Sequence, residues 1–193
     1  MRAVIVPFLH LLKIQAPKIK VAVLAINESA VQNQLEQWQI DFALVTPDFQ
    51  ALDIHAKNLY DERYICAVRH DHPIAKQSQL TLEQFCRLEQ ALISYHGGSF
   101  SGVTDQALQA MGLQRNVSLS VQNFIVLPEL LAQSDLLAVV PERLIANLPN
   151  LKRFEPPLEI QGFTKTLIWH ERTHKDPAYR WVRELIEKTC LVE

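Results

Sequence analysis

Cysteine and unbalanced charge are scarce in this sequence of 193 residues, and each scarcity argues against a class of protein. The three cysteines, Cys66, Cys86 and Cys190, are far apart and odd in number. This pattern argues against a disulfide framework and excludes a zinc site built from spaced cysteine pairs, so we expect reduced, mostly buried thiols. Because 19 basic residues stand against 21 acidic ones, the formal net charge of −2 does not favour a nucleic-acid-binding surface.

Long apolar runs are also missing. No run reaches the roughly 18 residues that a membrane-spanning helix needs. Residues 1–7 are apolar, but they contain a single basic residue and no small-residue cleavage site, so they do not resemble a signal peptide. With 48% apolar and 21% charged residues, the composition is that of a globular protein, and we expect a cytoplasmic location.

Apolar residues recur at helical and strand-like spacings in alternation along the chain. Helical spacing covers residues 3–16, and strand-like alternation follows at residues 18–25. Ser29 and Thr81 are predicted to cap helices, because each has a glutamine three residues later in the reciprocal position of a capping box. Further strands are predicted at residues 41–45, 64–68, 91–93, 115–121, 136–140 and 163–169. Strands that alternate with helices predict an α/β fold with mostly parallel pairing.

A glycine-rich turn follows the predicted strand at residues 91–93. Three of the five glycines lie within residues 94–102, where backbone N–H groups can point at a polar or anionic ligand. The spacing matches neither a P-loop nor a dinucleotide-binding turn. The same turn contains groups that can stack or form hydrogen bonds, namely Tyr95, His96, Ser99 and Phe100. An ordinary flexible turn remains the alternative.

The carboxyl ends of the predicted strands carry polar and aromatic side chains. In open α/β sheets, ligands bind beyond these ends. Asn123 is also predicted to cap the helix that follows it, although Pro128 should kink that helix or shorten its start. The side chains at these ends would form a polar-tipped pocket for a small organic molecule. They are Thr46 and Pro47, Ser94 and Tyr95, Gln122, Asn123 and Phe124, and Pro141.

No pattern in the sequence indicates catalysis or a metal site. There is no Gly-x-Ser-x-Gly elbow and no local signature of a nucleophilic cysteine. The triplet His70-Asp71-His72 has ligand chemistry, but it ends a strand before a proline, so we expect a solvated turn there. We therefore expect a protein that is not an enzyme and holds no metal or cofactor.

The order and spacing of several segments resemble the effector-binding domain of LysR-type transcriptional regulators. The resemblance covers essentially the whole chain and is closest to the NodD and NahR branch. The segments that carry it are residues 59–75 (LYDERYICAVRHDHPIA), 80–85 (LTLEQF), 137–141 (LAVVP), 167–172 (LIWHER), 176–178 (DPA) and 181–183 (WVR).

This resemblance implies a two-lobed fold of the type II periplasmic-binding-protein kind, with two crossover strands and a ligand cleft between the lobes. Lobe I would comprise residues 1–71 and 161–193, and lobe II residues 72–160. The crossovers are expected near residues 70–73 and 158–163. Because the chain begins at a helix, the first strand of lobe I is expected to be missing.

The resemblance also implies a function, the sensing of a small-molecule effector, for which the NahR-like branch indicates an aromatic carboxylate. We expect a homodimer or higher oligomer that contacts DNA only through an N-terminal winged helix-turn-helix absent from this chain. A solute-binding protein of a transport system with the same fold is the alternative. The residues mapped to the cleft are Thr46, Pro47, Ser94, Tyr95, His96, Ser99, Phe100, Gln122, Asn123, Phe124 and Pro141.

Overall fold

The computed structural model describes residues 2–27, 29–46, 51–94 and 97–190, and the chain divides into two α/β units. Unit 1 comprises Met1–Asp61 and Phe163–Glu193, and unit 2 comprises Glu62–Gly162. The predicted α/β architecture with two lobes is confirmed. None of the helices within the described ranges is long and apolar enough to cross a membrane.

The helices and strands are numbered along the chain. The helices are α1 (Arg2–Gln15), α2 (Val31–Glu36), α3 (Leu82–Arg87), α4 (Val103–Ala110), α5 (Leu127–Ala132), α6 (Glu142–Ile145) and α7 (Pro177–Cys190). The strands are β1 (Ala43–Val45), β2 (Ile54–Glu62), β3 (Tyr64–Arg69), β4 (Glu89–Ile93), β5 (Asn116–Val121), β6 (Leu137–Pro141), β7 (Leu151–Phe154) and β8 (Phe163–His170). A short 3-10 helix, Glu171–Thr173, follows β8.

Unit 1 is built on a three-stranded sheet with the order β1-β8-β2. Helix α1 buries Val4, Phe8 and Leu12, whose spacing of four residues places them on one face. This face packs in one apolar cluster with residues of β8 and α7, including Leu167 and Leu185. A second cluster places α2 against β1 and β8.

Unit 2 contains a five-stranded sheet with the order β5-β4-β6-β3-β7 and a separate apolar cluster on each face. Strand β3 contributes side chains to both of these clusters. Ile65 and Ala67 belong to one cluster, Cys66 and Val68 to the other, and all four residues are at most 2% exposed. Since successive side chains of a strand point to opposite faces, a continuous apolar run is what a strand covered on both sides requires.

The expectation of mostly parallel pairing is wrong. Strand β4 is parallel to β5 and β6, but β3 is antiparallel to β6 and β7, and β1 is antiparallel to β8. A parallel neighbour needs a crossover of a dozen or more residues, usually through a helix. Strand β3 follows β2 after the single residue Arg63, so it enters the sheet of unit 2 without such a crossover.

The strand predicted at residues 18–25 is also absent from the structure, which has no regular element there. Val21 and Val23 are 42% and 46% exposed. Alternation of apolar residues produces a strand only where the edge of a sheet offers hydrogen-bonding partners, and the three strands in the sheet of unit 1 come from other parts of the chain.

Two predicted capping boxes have opposite outcomes. Thr81 caps α3 as predicted, because its Oγ1 accepts from the backbone N–H of Gln84 at 3.2 Å and the Gln84 side chain accepts from the Thr81 N–H at 3.1 Å. Ser29 does not cap α2. Its hydroxyl instead donates to Asn27 Oδ1 at 2.8 Å, and α2 begins after Ala30.

The chain passes between the units at residues 61/62 and 162/163, whereas lobe boundaries at 71/72 and 160/161 were expected. Residues 62–71 lie in unit 2 because β3 is an inner strand of its sheet. Glu62 and Gly162, the first and last residues of unit 2, lie against each other. A side chain at Gly162 would collide with the backbone carbonyl of Glu62, so glycine is required at this position.

Candidate functional site

Three strand ends of unit 2 lie at one edge of its sheet. Because β4 is parallel to both β5 and β6, the residues that end these strands or follow them lie side by side. They are Ser94 after β4, Gln122 after β5, and Pro141 at the end of β6. Three residues that were predicted from separate segments to bind a ligand therefore share this edge.

Hydrogen bonds connect the glycine-rich turn to two of these strand ends. The backbone N–H of Ser94 donates to the carbonyl of Val121 at 2.9 Å, and Ser94 Oγ accepts from the N–H of Ser99 at 3.1 Å. The hydroxyl of Ser120, in β5, donates to the carbonyl of Ser99 at 2.6 Å. Ser94 is only 5% exposed, so the turn is anchored from beneath and presents Ser99 outward.

The glycines of this turn are required by its backbone. Gly97 and Gly98 have φ values of +78° and +72°, in the left-handed region that side chains disfavour. Gln122 lies against Gly97, since a Cβ on that glycine would be 3.7 Å from Gln122 Cδ. The aromatic ring of Phe100 is 56% exposed at the end of the turn. We call Ser94, Ser99, Ser120, Gln122 and Asn123 the strand-end group.

Asn123 does not have its predicted role as a helix cap. Its Oδ1 accepts from the N–H of Ile125 at 2.8 Å, which forms a local turn, and α5 starts only at Leu127. Pro128 sets this later start, because its fixed φ and missing N–H favour the first turn of a helix. Phe124 is half-buried in the same turn. No helix N-terminus therefore lies at Asn123 to hold a carboxylate.

A buried ion pair that no local sequence pattern indicates supports the far end of the turn. The Arg115 side chain is 1% exposed, and its Nη2 and Nε donate to the two carboxylate oxygens of Asp105 at 2.6 and 2.9 Å. Asp105 also accepts from the N–H of Gly102 at 2.7 Å. Burial acts to raise the pKa of Asp105, but the hydrogen bonds and charge of Arg115 outweigh it and hold that pKa below its ordinary value.

A second ionic network lies at the same edge of unit 2. Arg63 Nε and Nη2 donate to the two carboxylate oxygens of Glu142 at 2.7 and 2.8 Å, and Nη1 donates to Glu155 at 2.6 Å. The hydrogen bonds from Arg63 lower the pKa of Glu142. Glu62 is 6% exposed beside this network, and burial raises its pKa. The partners of Arg63 are 79 and 92 positions away, so no local pattern reveals them.

Four other predicted ligand residues lie in unit 1 or outside the described residues. Thr46 follows β1 in unit 1, where its Oγ1 accepts from Lys165 Nζ at 3.1 Å. Pro47, Tyr95 and His96 lie outside the described residues. Their roles stay predictions.

The structure corrects the expectation of a solvated turn at His72. This side chain is buried, at 4% exposure, where its Nε2 lies 3.1 Å from the carbonyl of Asp135 and its Nδ1 accepts from the N–H of Ile74. Two backbone groups therefore occupy both ring nitrogens. Within the ranges that the structure describes, no three His, Cys, Asp or Glu side chains are grouped to hold a metal ion.

Comparison with known sequences assigns a family. The model of the LysR substrate binding domain matches residues 1–191. The HTH-type transcriptional regulator SyrM of Rhizobium meliloti (strain 1021) is 33% identical over 152 residues, which are 77% of this chain and 46% of SyrM. The HTH-type transcriptional activator NagR of Ralstonia sp is 30% identical over 184 residues, which are 93% of this chain and 60% of NagR. The chain spans about half the length of the curated relatives it matches.

Comparison with solved structures agrees with this family. The regulatory domain of MexT, a transcriptional activator in Pseudomonas aeruginosa, superimposes with a TM-score of 0.81 and 28% identity over 97% of this chain and 91% of that domain. The comparison thus favours the regulator over the alternative of a transport solute-binding protein. The chain belongs to the family of LysR substrate-binding domains, the regulatory domains of LysR-type transcriptional regulators.

Proposed function

We propose that the strand-end group of unit 2 binds the small-molecule effector of a LysR-type regulator. The observation that carries this proposal is the alignment of three strand ends at one edge, with hydroxyl and amide groups gathered around an anchored glycine turn. Such ends are where open α/β sheets bind ligands. Thr46, Pro47, Tyr95, His96 and Pro141 remain predicted contributors.

The proposed ligand is an aromatic carboxylate. The cations Arg115 and Arg63 are already paired with Asp105 and with two glutamates, so hydroxyl, amide and backbone N–H groups would hold the carboxylate. Phe100 offers an exposed ring for stacking at the same turn. Neutral donors are adequate for this task, because hydrogen bonds to an ionised acceptor are stronger than neutral ones.

Titration with three probes tests the ligand class. Benzoate has both a ring and a charge, benzamide lacks the charge, and cyclohexanecarboxylate lacks the aromatic ring. In ¹H–¹⁵N spectra of the chain, we expect benzoate to shift amide signals of residues 97–102 and 120–124 at lower concentration than either analogue. Shifts confined to other residues, or equal affinity for benzamide, would contradict the proposal.

A substitution that adds a negative charge to the strand-end group tests the same site in the protein. In Asn123→Asp the side chain still accepts from the N–H of Ile125, but it adds a negative charge beside the ligand. We expect benzoate to bind about 10-fold more weakly and benzamide to be unaffected, because only the carboxylate is repelled. Asn116→Asp, at the opposite end of β5, is the matched control and should leave benzoate affinity unchanged. Equal effects of the two substitutions would place the ligand elsewhere.

We further propose that the chain works within an oligomeric regulator whose contacts with DNA lie outside these 193 residues. The near-neutral balance of charge supports this division, since DNA-binding surfaces carry a clear excess of basic residues. Fluorescence anisotropy with a labelled duplex at 50 mM salt should show no binding by this chain. Binding that weakens with rising salt would contradict the proposal.

A further inference from the structure

Three parallel rings lie where β2 meets the turn between β8 and α7 in unit 1. The ring centroids of His55 and His174 are 3.8 Å apart with an interplanar angle of 8°. Trp169 is nearly parallel to both, with centroids 5.6 Å from His55 and 6.1 Å from His174. We call these three residues the ring cluster. It belongs to unit 1, whereas the strand-end group belongs to unit 2.

The hydrogen bond inside the ring cluster defines the protonation state of His174. Trp169 Nε1 donates to His174 Nδ1 at 3.3 Å. An indole N–H can only donate, so Nδ1 of His174 must carry a lone pair, and the imidazole is neutral with its proton on Nε2. Trp169 is 6% exposed, so water has little access to replace the acceptor if it is lost.

His55 uses a ring nitrogen as a hydrogen-bond donor, whereas His174 uses one as an acceptor. The Nε2 of His55 lies against the carboxylate of Glu171, which can only accept, so this nitrogen is a donor. The hydrogen bond from His55 lowers the pKa of Glu171. A proton gained by His55 is therefore balanced by a carboxylate. A proton gained by His174 removes the acceptor from Trp169 and places a second cation against a stacked imidazole.

The carboxylate of Glu171 faces His174 as well as His55, and its hydrogen bond is to His55. Arg183, from α7, donates to the carbonyl of His174 at 2.7 Å and stacks its guanidinium 4.6 Å from the Trp169 ring centroid. Lys175 follows in the turn, and Asp53 faces the turn through its carbonyl, which accepts from the N–H of Glu171. The neighbouring carboxylates have other partners: Asp176 accepts from the N–H groups of Ala178 and Tyr179, Glu184 pairs with Arg180, and Glu187 pairs with Lys57.

We propose that His174 is a proton-sensitive latch of unit 1. Histidine is the side chain that ordinarily gains a proton between about pH 8 and 5. Protonation of His174 breaks its bond to Trp169 of β8, and the added charge repels a cationic ring of His55 in β2, so both contacts of His174 with the sheet are released. The adjacent turn, Glu171–Thr173, carries Arg172, which donates to the carbonyls of Leu35 and Glu36 at the end of α2, so release of His174 also loosens α2. Acidification would thus weaken unit 1 independently of any effector.

Nuclear magnetic resonance of the 193-residue chain tests this latch directly. Between pH 8 and pH 5, we expect the Trp169 indole N–H signal, assigned with Trp169→Phe, to shift with the same midpoint as the His174 ring. In His174→Gln the side-chain oxygen can accept from the indole but cannot be protonated, so the indole signal should become independent of pH. His70→Gln, which removes a 66% exposed imidazole of unit 2, is the matched control and should titrate like the unmodified chain.

Thermal unfolding supplies the second measurement. All three tryptophans, at positions 38, 169 and 181, lie in unit 1, so their fluorescence follows this unit. Lowering the pH from 7.5 to 5.5 should lower Tm by about 3 °C more in the unmodified chain than in His174→Gln. A Trp169 signal that is constant with pH, or that titrates equally in His174→Gln, would overturn the proposal. If His174→Gln fails to fold, the unmodified chain still tests the proposal. Different pH midpoints for the Trp169 indole signal and the His174 ring would then overturn it.

Discussion

The two units of this chain are stabilised in different proportions by apolar burial and by polar contacts. Unit 2 has five strands between two clusters, each with nine buried residues among those described. Unit 1 has three strands, one of only three residues, and its two clusters hold eight and five buried residues among those described. Its turn between β8 and α7 is instead held by side chains such as Arg172 and Arg183.

This difference assigns the units different physical roles. Burial of apolar area is the dominant favourable contribution to folding, so we expect unit 2, which carries the strand-end group, to be the more stable unit. Polar contacts contribute less on balance and depend on protonation, so we expect conditions such as pH to change the stability of unit 1 more than that of unit 2. The segment of unit 1 with Val21 and Val23 leaves 42% and 46% of these two residues exposed, so it contributes less burial than a core strand.

The largest expected effect comes from matched deletions in the two cores. Leu131 in unit 2 and Leu35 in unit 1 are both fully buried. We expect Leu131→Ala to lower the free energy of unfolding by about 4 kcal/mol and Leu35→Ala by about 3 kcal/mol, because the larger cluster collapses less around the cavity. Urea unfolding followed by tryptophan fluorescence, for unit 1, and by circular dichroism, for both units, measures this. Identical shifts of both signals in both variants would show that the units unfold as one.

The next effect concerns the buried ion pair of unit 2. Arg115→Met leaves Asp105 without its partner, and we expect a loss of about 3 kcal/mol in the free energy of unfolding. Adding Asp105→Asn removes the unpaired charge and should recover about 1 kcal/mol. A double variant less stable than Arg115→Met would show that Asp105 acts mainly through the N–H of Gly102.

A smaller effect is expected at the cap of α3. Thr81→Ala removes the acceptor of the Gln84 N–H and should lower the free energy of unfolding by about 1 kcal/mol. Thr81→Ser keeps a hydroxyl acceptor and should be close to neutral in the same denaturation experiment. Equal losses in both variants would attribute the effect to the methyl group instead of the hydrogen bond.

The smallest effect is a pH dependence at Glu62, where the chain enters unit 2. Burial raises the pKa of this carboxyl above its ordinary 4.5, so the folded state disfavours the charged form. Stability is therefore lost as the pH rises from 4.5 through the raised value, and it is regained on acidification. Glu62→Gln should stabilise the chain by less than about 1 kcal/mol at pH 7.5 and leave it unchanged at pH 4. A gain at both pH values would contradict this account.

Local signals in the sequence predicted much of the fold and part of the candidate site. The capping box at Thr81 and the apolar run of β3 are complete within a few residues, and the structure confirms both. The glycine turn was also found, because only glycine tolerates the backbone of Gly97 and Gly98. The prediction of a strand at residues 18–25 was wrong, since a strand needs pairing partners from other parts of the chain. The prediction of a cap at Asn123 was wrong because Pro128 delays the start of α5 to Leu127.

The sequence by itself determined the α/β class and the segments that end at the strand-end group, because periodicity and turn chemistry act over short stretches. The resemblance of several ordered segments to LysR-type regulators indicated the family. Only the tertiary structure decided which distant polar groups meet. Arg63 finds Glu142, Arg115 forms its fork with Asp105, and His55 meets Glu171 from 116 positions away. Such pairs depend on how packed elements bring their surfaces together, and that arrangement leaves no local pattern in the sequence.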